Sequence, residues 1–197
     1  MTIEPAIPIS AFRLASVLFK SKIDDTRKSL KKLGTNYRIQ STVASKHQSL
    51  VCDYATKLAK DSLSDCKKII SHFHDKLLLL AKDYESVTFV CTSVGDFHAL
   101  KVELLGYITK FKTDKSLQDN TQAKLQLEKD KVLFYYNLAE ESASKLKLSN
   151  VIRINTIIQK CLFYRSQNNI SYALYLAQRQ FDEIKKCPEK NKNCKYY

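Results

Sequence analysis

Between Pro8 and Pro188 the chain contains no proline, and only three glycines occur along its whole length. Proline breaks helices because it lacks a backbone donor and clashes with the preceding turn, so its absence over this span leaves long helices uninterrupted. Sandwiches, barrels and glycine-cradled nucleotide folds need many residues at unusual backbone angles, and the chain lacks the glycines to supply them. The apolar fraction of 44% over 197 residues is enough for one domain with a core of its own.

Helical periodicity follows. Ser10 can cap a helix whose apolar residues Phe12, Ala15, Leu18 and Phe19 recur at three and four, running to about Leu33, with Gly34 as its stop. A second helix is expected from His47 to about Lys82, carried by Leu50, Tyr54, Leu58, Cys66, Ile69, Phe73 and Leu77. Ser86-Val87-Thr88-Phe89-Val90 is β-prone, and Glu85 to Val94 reads as a loop insertion or one short strand. A third helix is expected from about Asp96 to Phe111, and the polar run Thr113 to Gln122 reads as a linker. Further helices are expected at about Ala123–Lys147, Asn150–Ser166 and Ile170–Lys186. The sequence thus predicts an all-α, antiparallel helical bundle over residues 1–186, followed by a basic tail over 187–197. Lys131-Val132-Leu133-Phe134-Tyr135 echoes Lys160-Cys161-Leu162-Phe163-Tyr164, but one echo does not make a repeat array.

The opening residues have neither a basic start nor a long apolar run, and Leu77-Leu78-Leu79-Leu80-Ala81 is too short to cross a bilayer. No membrane association is expected. The six cysteines contain no C-x-x-C pair, which points to reduced thiols and a cytoplasmic address. No metal or other cofactor is expected: His72 and His74 lie two apart, on different faces of a helix, and the four histidines do not cluster with cysteines.

Asn150-Val151-Ile152-Arg153, then Phe163-Tyr164, Asn168, Leu176-Ala177 and Phe181-Asp182-Glu183 resemble the paired seventh and eighth helices of the 14-3-3 phosphoprotein-binding adaptors. Tyr135 to Ser149 is similar to the helix before them. His47 to Lys57, with Cys66, resembles the family's long fourth helix, and Leu14 to Lys20 its third. The likeness covers roughly residues 10 to 186 with an insertion around the β-prone segment. It implies a 14-3-3-like bundle lacking counterparts of the family's first two helices and its last. The missing first helices help build the family's dimer, so homodimerisation of that kind is not expected. A second threading, which reads Arg13-Leu14-Ala15 and Asp24-Asp25 as the first helices, leaves too few residues before Cys66 for both long helices.

The resemblance implies a groove for phosphoserine or phosphothreonine. Such a group carries about −1.5 to −2 charges and strong acceptor oxygens, and needs fixed cationic donors converging from separate helices. Lys20, Arg27 and Lys31 stand at i, i+7 and i+11, within roughly 20° of one direction on a helix. They fall on the family's Lys-Arg-Arg positions; apart from the likeness they would read as a solvated basic face. In the family's fifth helix, aligning on Gly106 places Lys110 and Phe111 where the family has Arg and Tyr, whereas aligning on Leu100-Lys101 places Ile108 and Thr109 there. Gln159 takes the place of the Asn that holds the peptide backbone, and Ser166 that of an acidic contact. These replacements predict a weakened or altered phosphopeptide site.

Two other function classes compete. An enzyme is not expected, because no G-x-S-x-G, H-E-x-x-H, P-loop or Cys–His motif occurs, and Glu140-Glu141 reads as an ordinary solvated helix face. The net charge of +13 favours any polyanion, so a basic helical module binding nucleic acid is the alternative, although most of the 11 tyrosines and 9 phenylalanines fall at core spacing. A scaffold for an unmodified partner helix is the third.

Overall fold

A computed structural model of the chain describes residues 17, 21, 24–26, 28–32, 45–111 and 115–186, and among them there are helices and no strand. Residues 24–26 and 28–32 are helical. After them come α1 (Ser45–His72), α2 (Tyr84–Phe111), α3 (Lys115–Ala143), α4 (Val151–Ser166) and α5 (Ile170–Lys186). A single π-helical turn, Phe73–Leu77, prolongs α1 into Leu78–Leu80 and buries Phe73 and Leu77. The protein is an all-α helical bundle. Lys20, Arg27, Gly34 and the tail 187–197 lie outside the described residues.

Neighbouring helices run antiparallel, because contacts climb one helix as they descend the next. Between α2 and α3, Tyr84 meets Ser142, Asp96 meets Tyr136, and Lys101 meets Glu128. Between α4 and α5, Arg153 near the start of one holds Glu183 near the end of the other. The long α2 lies at the centre, packed against α1, α3 and α4. One core joins α1 to α2 through Phe73, Val90, Val94, Phe97 and Leu104, with the fully buried Leu30 of the first helical residues added to it. A second joins α2, α3 and α4 through Val102, Val132, Tyr136 and Phe163.

The expected loop or strand at Glu85–Val94 is instead the opening of α2. Asp83 explains the start: its carboxylate accepts the Ser86 backbone N–H at 2.8 Å and the Ser86 hydroxyl at 2.7 Å. Those bonds satisfy a free donor of the first turn and hold the Asp83 carboxyl below its ordinary pKa. Thr88 and Thr92 then donate their hydroxyls to the carbonyls of Tyr84 and Thr88, at 2.6 and 2.7 Å. Burial of Val90 and Val94 overrides the local β preference. Residues 85–94 therefore form neither a loop nor a strand, and only residues 81–83 separate the helical stretches. Likewise α3 starts at Lys115, inside the expected linker, and ends at Ala143 rather than Lys147. The Asn150 side chain caps α4 by accepting from the N–H groups of Ile152 and Arg153.

Candidate functional site

A cavity of about 610 Å³ opens between α2, α3 and α4, with Asp24 of the first helical residues on its edge. Its floor is apolar: Val102 and Leu100 from α2, Leu125 from α3, Leu162 and Phe163 from α4. Its polar groups are Lys110, Lys129, Gln159, Ser166 and Gln167, with the carboxylates Asp24, Asp96 and Glu103.

Two of the residues expected from sequence meet here. Lys110 comes from the last turn of α2, where its ammonium lies 5.8 Å from the centre of the Tyr107 ring. Gln159 comes from the middle of α4, half-buried, donating weakly to Asn155 at 3.5 Å. The competing pair is placed elsewhere: Ile108 is buried in the α1–α2 core, and Thr109 donates its hydroxyl to the Leu105 carbonyl at 3.0 Å. Ser166 lines the same cavity and donates to the Phe163 carbonyl at 2.7 Å. Lys31 is exposed and does not line it. The cationic stripe Lys20-Arg27-Lys31 is thus represented among the described residues by Lys31 alone.

Lys129 escaped sequence reasoning. Leu125, Lys129, Val132 and Tyr136 stand at i, i+4, i+7 and i+11, one stripe of α3, and that spacing was the available signal. The stripe faces α2 and α4, so Lys129 shares the cavity with Lys110.

The charges around the cavity are unequally satisfied. Asp96 accepts the Tyr136 hydroxyl at 2.8 Å, and Asp24, Asp96 and Glu103 all have further partners within the protein. Lys110 and Lys129 form no ion pair among the described residues. Among the described residues, the lining cations without an ion pair thus come from two helices, α2 and α3. An anion entering between them gains charge-assisted hydrogen bonds, which are about twice as strong as neutral ones. No protein-family model and no curated protein sequence matches the chain. Among the described residues no group of three or more His, Cys, Asp or Glu is placed to hold a metal ion, and no helix is long and apolar enough to cross a membrane.

Gly95 lets the ring of Tyr136, one of the residues lining the cavity, lie close against α2. A Cβ built there would lie 2.7 Å from two carbons of the Tyr136 ring, so the ring can lie flat on α2 only because residue 95 has no side chain. Burial, then the Asp96 charge and hydrogen bond, push the Tyr136 phenol well above its ordinary pKa, keeping it a donor. Gly95→Ala is expected to displace the ring, weaken the Tyr136–Asp96 bond and cost about 1–3 kcal/mol of stability. Thermal denaturation beside Tyr136→Phe, which removes the hydroxyl without crowding the ring, measures the steric part.

Proposed function

We propose that the chain is a non-enzymatic adaptor of the cytoplasm, holding a phosphoserine- or phosphothreonine-bearing segment of a partner protein in the groove between α2, α3 and α4. The observation that carries this reading is that Lys110 and Lys129, neither in an ion pair among the described residues, line one cavity together with Gln159. The lysines supply cationic donors for the phosphate. Gln159 offers both a donor and an acceptor to the peptide backbone. The sequence likeness to the 14-3-3 adaptors supports the same reading, and on that likeness alone Lys20 and Arg27 would add further positive charge. Two lysines give point charges and not the bidentate fork of arginine, so modest affinity is expected.

The test is fluorescence anisotropy with matched phosphorylated and unphosphorylated peptides from a phosphoserine library. Lys110→Gln and Lys129→Gln are each expected to weaken phosphopeptide binding about tenfold, the equivalent of one charge-assisted contact. Equal binding of both peptide forms would sink the proposal. If single-stranded RNA binds with a steep salt dependence, and phosphopeptides do not compete with it, the net charge of +13 serves a polyanion instead.

A further inference from the structure

On α5, Ala173, Leu176 and Gln180 are buried, and among the described residues that helix packs chiefly on α4. A second row, Ile170, Leu174, Ala177 and Phe181, stands at i, i+4, i+7 and i+11, within roughly 60° of one direction. It is open to solvent: Leu174 is 65% exposed, Ile170 56% and Phe181 50%. This row lies about 100° round the helix from the buried one. It occupies the opposite flank from Arg179 and Glu183, which hold Glu140 of α3 and Arg153 of α4.

The Arg153–Glu183 and Tyr164–Tyr172 contacts set one and the same register between the two antiparallel helices. In that register Leu162 comes level with Leu174, and Ile158 with Gln178, next to Ala177. Val151, Ile158 and Leu162 form the side of α4 turned away from Lys160 and α3, and all three are exposed. The two rows make one apolar face of on the order of 600 Å², the upper end of what an isolated monomer exposes.

We infer that this face docks a second copy of the chain, with α5 antiparallel to α5 about a two-fold axis. An interface of standard size covers about 800 Å² of each partner, a little over half of it apolar, and the face supplies that apolar share. The steps of the α5 row, four, three and four residues, read the same in both directions, as a two-fold contact requires. Reversal about its midpoint sets Leu174 against the smaller Ala177 of the second copy, and Ile170 against its Phe181. Charge points the same way. Ser166 to Gln178 contains no charged residue in a chain of net charge +13, so no like charges meet at the centre of the contact. Lys185, over the Phe181 ring at 4.3 Å, stands at the edge of the face. The contact uses neither Lys110, Lys129 nor Gln159, and it holds whether or not the protein binds phosphopeptides.

Sedimentation equilibrium of the full chain, from about 1 to about 100 μM, is expected to show a reversible dimer. Leu174→Glu and Ala177→Glu place a charge at its centre and should each raise the dissociation constant about a hundredfold. Both positions are exposed, so helicity by circular dichroism should stay that of wild type. Tyr175→Glu, 57% exposed on another flank of α5, should leave the dimer intact. Because the two copies repel each other through their net charge, added salt should tighten the dimer. A monomer over the whole range overturns the inference, whatever other partner the face then binds. So does a dimer that survives both substitutions in the row, that Tyr175→Glu breaks equally, or that salt dissociates.

Discussion

Replacing Glu128 with leucine is expected to lower the unfolding free energy by about 3–5 kcal/mol, because it leaves a buried ammonium without a counter-charge. Glu128 sits at the α2–α3 contact with 9% of its side chain exposed, and Lys101 opposite it with 8%. Lys101 donates to one carboxylate oxygen at 2.6 Å. The His98 Nδ1–H donates to the other, also at 2.6 Å. The Tyr135 ring stacks on His98 with centres 5.4 Å apart, and Lys131 reaches the carboxylate from the solvent side at 3.7 Å. Glu128→Gln keeps the shape and some of the hydrogen bonding, and should fall between wild type and the leucine variant in urea unfolding.

The same cluster makes stability depend on pH. Burial pushes the Glu128 carboxyl up, but the hydrogen bonds from His98 and Lys101 and the Lys101 charge outweigh it and bring the pKa from 4.5 down to about 2. A carboxyl more acidic in the folded state contributes stability that is complete above its unfolded value. That contribution is lost as pH falls from about 4.5 towards 2. Urea unfolding across this window should show the wild type losing stability more steeply than Glu128→Gln. Parallel curves would show that other carboxylates dominate acid unfolding.

What sequence revealed and what it hid follow from the range of the forces involved. The Asn150 cap, the period of α4 and the positive φ of 61° at Asn168, just beyond its end, are local, and the sequence places that helix within a residue. Ser86 to Val90 is misread because propensity is also local, whereas burial of Val90 against α1 and the Asp83 cap decide the outcome. The His98–Lys101–Glu128 cluster is out of reach for a different reason. Its partners are 27 and 30 residues apart, and only the mutual register of two helices brings them together. Lys129 lies between these cases: its stripe can be read on α3, but the cavity that the stripe faces cannot. Lys110 and Gln159 were expected from a resemblance, and their meeting in one cavity is a property of the packing.

Glu140 ties the groove's third wall in place, and Glu140→Leu is expected to cost about 3 kcal/mol while also loosening the site. Its carboxylate accepts from Lys160 of α4 at 2.5 Å and from the Arg179 guanidinium of α5. Lys160 is buried, with Asn137 as its other acceptor at 2.8 Å, so removal of Glu140 strands a positive charge between α3 and α4. Burial raises the Glu140 carboxyl, but the Lys160 and Arg179 contacts prevail and hold it below its ordinary pKa. Arg179 is 40% exposed, so Arg179→Gln, which leaves the Lys160 bond intact, should cost less than about 1 kcal/mol. Lys160 directly follows Gln159, and the rotation of α4 that seats Lys160 on Glu140 also presents Gln159 to the cavity. Under the proposed phosphopeptide-binding function, the affinity of Glu140→Leu for a phosphopeptide, measured at a temperature where the variant is fully folded, should therefore fall although Glu140 does not line the cavity. Adding Lys160→Met removes the stranded charge and should restore most of the stability. Affinity should recover with it only if packing against α3, rather than the ion pair itself, suffices to orient α4.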